Sequence, residues 1–197
     1  MGFGPSSWKL SSEKLLTREE VKRVLRCAEC NDDSDYHFFA LKANTGLRVG
    51  ELVALRWRDF HPNSYELIVT RLKKRKPSPE PMAISIAVTK LLTERSRSYD
   101  WRPTQKSSFI FPGLDHGHIS IREMQRHWKD YLVSLKLYRP GRGIHILRHY
   151  AGTEFYSKTR DLRATQLFLG HSSSAITETY AHVVDMRERI EKVEPTL

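Results

Sequence analysis

One pair of strand-like segments lies between two long blocks of helical periodicity, and that pattern limits the folds open to this chain. Tyr65 to Leu72 is rich in β-branched and aromatic residues and reads as a strand. Met82 to Ile86 is its expected hairpin partner. Between them runs Lys73-Lys74-Arg75-Lys76-Pro77-Ser78-Pro79, a basic, proline-bearing connection. Before and after this pair, the apolar residues recur at steps of three and four, which is the mark of helices packed by one face. The expected fold is therefore mainly α with a small antiparallel β-sheet, an α+β domain.

The helical blocks are well punctuated. Thr17 caps a first helix with Glu20 as capping-box partner, and Val21, Val24, Leu25 and Ala28 follow at helical spacing. Asn31 to Asp35 breaks that pattern, and Tyr36 to Ala43 forms a second, short apolar helix that stops at Asn44-Thr45-Gly46. A third helix is expected from about Val49 to Trp57, and a fourth over Thr89 to Ser96. Ser120 to Lys136 is a longer helix whose Ile121, Met124, Trp128, Tyr131 and Leu135 mark one face. Ile144 to Ser157 and Asp161 to Leu169 follow, the latter ended by Gly170. Ala175 to Ala181 and Asp185 to Val193 are the last expected helices. The division implied is a flexible lead-in over 1–16, a core domain over 17–184 and a tail helix over 185–197.

The 197 residues suffice for one domain of ordinary size. Lys and Arg number 33 against 23 Asp and Glu, a formal charge of +10 that suits a polyanionic partner. Charge alone says nothing of sequence preference or catalysis. No apolar run approaches the roughly 18–20 residues that span a bilayer, and Met1 to Leu10 lacks the form of a signal peptide. A cytoplasmic protein without a membrane partner is expected. Cys27 and Cys30 make a lone CxxC on a helix, without the two further ligands of a zinc site, so buried thiols and no metal are expected.

Four stretches carry chemistry. They are Thr45-Gly46-Leu47-Arg48-Val49-Gly50-Glu51-Leu52, the hairpin run Arg71-Leu72-Lys73-Lys74, His145-Ile146-Leu147-Arg148-His149, and Leu169-Gly170-His171 with Tyr180 nine positions later. Phosphoryl transfer without a metal requires a nucleophile, neutralised non-bridging oxygens and a proton for the leaving oxygen. Arg48 and Arg148 can clamp a phosphate through planar forks that stay charged. His145, one helical turn before Arg148 and so on the same side, exchanges a proton near neutral pH. His171 can donate to the phosphate, and a hairpin lysine can protonate the leaving oxygen. Tyr180, with an intrinsic pKa of about 10, needs basic neighbours to attack. Singly, each has a plain structural reading: Arg48 has Glu51 as a ready partner, and the basic run is an ordinary solvated turn. Their joint order is what carries weight.

That ordered set resembles the tyrosine recombinase, or phage integrase, family. TGLRVGELVAL (Thr45 to Leu55) is similar to the family's first arginine box, HILRH (His145 to His149) to its HxxRH box, and LGH (Leu169 to His171) with Tyr180 to its last box and nucleophile. The resemblance implies that Arg48, Arg148 and His171 bind the pentavalent phosphate, that His145 moves a proton, and that Tyr180 forms a 3′-phosphotyrosyl link. It implies Lys73 as general acid, with Lys74 as the open alternative, and Lys74, Arg75 and Lys76 as DNA contacts. The expected partner is double-stranded DNA at specific recombination sites, bound by a homotetramer, with no cofactor because the bond energy is kept in the protein–DNA link. Most members carry an additional N-terminal DNA clamp, and few residues precede the first helix here, so the chain is expected to be either a piece of a longer member or a naturally short one. The short form and the RLKK hairpin also resemble fimbrial phase-variation recombinases, which invert DNA. The alternatives are a type IB topoisomerase-like relaxing enzyme and a non-catalytic DNA-binding remnant of a mobile element.

Overall fold

A computed structural model describes residues 15–71, 77–98, 108–113 and 117–170, together with 178 and 184. Helix α1 (Arg18–Asn31) opens on the capping box expected at Thr17 and Glu20, with both reciprocal bonds made. Its core stripe is Val21, Val24 and Ala28. Cys27 and Cys30 fall off that stripe, at about 100° and 200° from Ala28 around the helix. The expectation of buried thiols is corrected accordingly: Cys27 is half-buried and Cys30 exposed.

A single residue, Asp32, separates α1 from α2 (Asp33–Thr45). Its side chain accepts from the backbone of Ser34 and Asp35, so the break read at Asn31 to Asp35 is a cap rather than a loop. Helix α2 is the centre of the molecule and is buried nearly all round, with Phe38, Phe39 and Leu41 fully covered. Phe38 meets Phe111 edge-on at 5.0 Å between centroids, and Phe39 meets Trp128 at 5.2 Å, pairs worth about 1 kcal/mol each beyond their buried area. Gly46 ends α2 at φ 64°. A Cβ there would lie 2.6 Å from Leu169 Cδ2, so only glycine permits both this turn and this contact.

The sheet has three antiparallel strands in the order β1 (Phe60–His61), β2 (Glu66–Arg71), β3 (Ser78–Ala83). The hairpin partner thus lies earlier than Met82 to Ile86. Its register sets Ile68 opposite Pro81 and Thr70 opposite Pro79. Two prolines two residues apart turn their missing N–H groups to the same, open edge, where a strand tolerates them. Ile86 opens α4 (Ile86–Ser98), three residues before the expected start. Helix α3 (Val49–Val53) is shorter than expected and is followed by a 3-10 turn at Trp57–Asp59.

Helices α5 (Ile121–Ser134), α6 (Ile146–Thr159) and α7 (Leu162–Leu169) complete the described fold. Met124, Trp128 and Leu132 of α5 are buried, and Trp128 Nε1 donates to the Arg142 carbonyl at 3.1 Å. Buried Asp35 ties α2 to α5, bonding His127 Nδ1 at 2.9 Å and accepting from the Tyr131 hydroxyl at 3.0 Å. Glu178 and Val184 are helical, and Val184 packs with Tyr156 and Leu169. No helix among the described residues is long and apolar enough to cross a membrane.

Candidate active site

Arg48 stands at the N-cap of α3. Its backbone N–H donates to Glu51 Oε2 at 2.9 Å and its Nη1 to Oε1 at 3.0 Å, so one carboxylate holds both the loop and the side chain. Glu51 is fully buried, whereas the Arg48 side chain keeps 17% of its surface open. A guanidinium braced from behind that keeps an open edge can still meet an anion from in front. Glu51 also accepts from Arg71 Nη1 at 3.4 Å, and Arg71 Nε lies 3.7 Å from Glu80 Oε2. The carboxylate foreseen as a partner for Arg48 therefore serves two arginines.

Arg148 is buried, on the first turn of α6. Its Nη1 donates to the Gly46 carbonyl at 2.7 Å and its Nη2 to the Leu169 carbonyl at 2.6 Å. The planar fork thereby joins the turn before Arg48 to the end of α7, two residues before His171. Three of the four sequence stretches meet at this one side chain.

His145 is the N-cap of α6 rather than a residue within it, and its side chain is exposed. The two residues keep the one-turn spacing, with Arg148 N–H donating to the His145 carbonyl at 3.0 Å. Yet Arg148 goes to the interior and His145 to the rim. The rim borders a cavity of about 370 Å3 lined by Gln125, Lys129, Tyr138, Arg142 and His145. A second hollow, of about 310 Å3, lies between α2, α4 and α6 and touches none of the predicted site residues. Half-buried His149 is held neutral, its pKa pushed down to about 4 by burial first and then by the charges of His145, Arg148 and Lys42. It has no place for a second positive charge beside Arg148.

Lys42, on α2, was not foreseen as part of the site. It is fully buried and donates from Nζ to the Leu47 carbonyl at 2.7 Å, one residue before Arg48. Its pKa is lowered to about 7, by burial first and then by the positive charges of Arg148 and Arg48, with Glu51 opposing them. These couplings place Lys42, Arg48, Glu51 and Arg148 in one electrostatic cluster. The sequence signal was available: a lone lysine in a helix apolar on every side has no solvent face to occupy.

The depressed Lys42 pKa has a thermodynamic consequence. An unfolded lysine binds its proton up to about pH 10.5, whereas the folded one releases it near 7, so between these values stability rises with pH. Below pH 7 the full cost of the buried charge is present, on the order of a few kcal/mol at about 1.4 kcal/mol per unit of depression. Lys42→Met is expected to gain stability relative to the parent below pH 7, and that difference is expected to shrink steadily toward pH 10. Urea denaturation of both proteins at pH 6, 8 and 10 reads it; a difference independent of pH would contradict a depressed lysine.

Of the predicted residues, Arg48 and Arg148 both act on Lys42 in one charged cluster, and His145 stands one turn before Arg148 at the rim. Lys73, Lys74, Arg75, Lys76, His171 and Tyr180 lie outside the described residues.

Comparison with known proteins places the chain in a family. The profile of the phage integrase family matches residues 14–187. Tyrosine recombinase XerD of Bradyrhizobium diazoefficiens is 31% identical over 192 residues, covering 88% of this chain and 60% of that protein. Tyrosine recombinase XerC of Xanthomonas axonopodis pv. citri is 34% identical over 140 residues, covering 71% of this chain and 44% of that protein. The chain thus spans about half the length of the curated relatives it matches. Among solved structures, XerA recombinase superposes with a TM-score of 0.74 at 24% identity, over 93% of this chain and 66% of that one. XerH site-specific recombinase bound to its difH substrate, a pre-cleavage complex, superposes with a TM-score of 0.70 at 21% identity, over 86% of this chain and 50% of that one.

Proposed function

Because the chain belongs to the phage integrase family, we propose that it is the catalytic part of a site-specific DNA recombinase that breaks and rejoins DNA through Tyr180. In this reading the Tyr180 hydroxyl oxygen attacks a DNA phosphorus, and the bond from phosphorus to the 5′ oxygen breaks. The phenolic proton passes to His145. Lys73, or Lys74 in its place, protonates the leaving 5′ oxygen. Arg48, Arg148 and His171 hold the non-bridging oxygens as negative charge builds on them. A 5′ hydroxyl from a partner strand reverses the step, giving integration, excision or inversion. Lys74, Arg75 and Lys76 bind the DNA backbone, and a homotetramer assembles two duplexes.

The observation that supports this reading best is the Arg148 fork. It joins the turn of the first arginine box to the start of the LGH box, so motifs more than 100 residues apart converge on one guanidinium. The surrounding charge fits a phosphate: Arg48, Arg71 and Arg148 outnumber Glu51 and Glu80 even with Lys42 left out.

The test is incubation with nicked duplexes carrying candidate recombination sites, beside a supercoiled plasmid without a site. Covalent adducts on particular sites with little plasmid relaxation support the proposal. Strong relaxation of the site-free plasmid would assign a topoisomerase-like activity instead, and DNA binding without any adduct would leave a non-catalytic binding domain.

A further inference from the structure

Arg71 ends β2 at the point where the chain leaves for the lysine-bearing connection. Along β2 the buried positions alternate as Leu67, Val69 and Arg71, so the strand delivers this guanidinium to the core face. Its side chain is 8% exposed. It is held on three sides. Nη1 bonds Glu51, the carboxylate that braces Arg48, and Nε faces Glu80 of β3 at 3.7 Å. On the third side Gly170 lets the guanidinium press against the backbone, for a Cβ at that glycine would lie 3.0 Å from Arg71 Cζ. Nε is buried without a hydrogen bond, a cost that packing alone would avoid with an apolar residue at the same alternating position.

These contacts connect three parts of the site that the sequence keeps apart. Gly170 is followed by His171, Glu51 holds Arg48, and Arg71 stands two residues before Lys73. Resting on the recombinase reading, we propose that Arg71 is a positioning residue that locks the exit of β2, and so the general-acid lysine after it, to the Arg48–Glu51 pair and to the Gly170 turn. It acts through its neighbours and does not touch the phosphate. Its shared carboxylate makes the placement of the acid and of the clamping arginine interdependent.

The chemistry of the leaving group offers a specific readout. In ordinary DNA the 5′ oxygen leaves only with a proton from the acid. With sulfur in the bridging 5′ position, the phosphorus–sulfur bond breaks to give a thiolate that needs no proton, while attack by Tyr180 and clamping of the phosphate are unchanged. Arg71→Ala is expected to slow adduct formation on the oxygen substrate by about 100-fold, the lower range for loss of a general acid, and by only a few-fold on the sulfur substrate. Arg71→Lys keeps the charge but not the fork, and is expected to show the same pattern in weaker form, which preserves the test if the alanine variant fails to fold. Lys73→Ala and Lys74→Ala run beside them identify the acid, whose loss sulfur must rescue.

Equal slowing of Arg71→Lys on both substrates, or no slowing on either, would overturn the proposal. The wild-type chain separates this inference from the reading beneath it. If wild type forms no adduct with either substrate, the recombinase reading has failed; if it does, the variants decide the role of Arg71.

Discussion

Tyr180→Phe is expected to abolish the covalent protein–DNA adduct and to leave DNA affinity within about a factor of 3 of wild type. The substitution removes one oxygen and keeps the ring, so packing and charge are conserved, and changes of that kind ordinarily move a free energy by about 0.5 kcal/mol or less. In the proposed mechanism the reaction loses everything, because the hydroxyl oxygen is the atom that would bond to phosphorus. Phenylalanine offers no oxygen in its place, and water would release a free 3′ phosphate rather than a protein link. Denaturing gel shifts read the adduct and native gel shifts read affinity, on the same nicked duplex. A persisting adduct in the phenylalanine variant would remove Tyr180 from the mechanism.

The second large effect belongs to Arg148. Arg148→Lys keeps the charge but replaces a planar two-armed fork with a single ammonium. It cannot serve the Gly46 and Leu169 carbonyls together as the guanidinium does. Leaving one buried carbonyl without its donor costs about 1–3 kcal/mol of stability. If Arg148 holds the phosphate as proposed, loss of one oriented donor at the developing charge is expected to lower the rate of adduct formation by about 10²–10³-fold. Thermal denaturation and single-turnover cleavage separate the two. A variant that is destabilised but cleaves at the wild-type rate would make Arg148 a structural clamp alone. Arg148→Ala is the harsher change, since it strands both carbonyls in the interior.

Much of the fold was readable because its signals are local. The Thr17–Glu20 box, the Gly46 and Gly170 stops and the Trp128 face of α5 depend on neighbours within a turn or two. The sheet was read less well. Pro79 and Pro81 argue for a loop unless the strand is known to be an edge, which is a fact of topology. Phe60–His61 is too short to show any period.

The site divides in the same way. Arg48, His145 and Arg148 were legible from residue type and order, but not their unequal burial. The exposed rim position of His145 follows from its place at the N-cap of α6, one residue outside the helix expected to contain it. Lys42 has no motif around it, and Arg71 reads only as the start of a basic hairpin run, because cations in helices and turns are ordinarily solvated. Each had a positional clue, Lys42 in a helix without a polar face and Arg71 in step with Leu67 and Val69. What no pattern could supply is that Glu51 and the Gly170 turn join them to the arginines.

In the proposed reaction Tyr180 becomes covalently joined to DNA. Trapping the chain on a nicked duplex, digesting with trypsin and sequencing the nucleotide-bearing peptide by mass spectrometry tests it directly. The peptide Ala164–Arg187 contains one tyrosine, so the position is unambiguous. The account predicts a 3′-nucleotidyl adduct on Tyr180 of that peptide; a link to any other residue, or a cleaved duplex with no peptide attached, would contradict it.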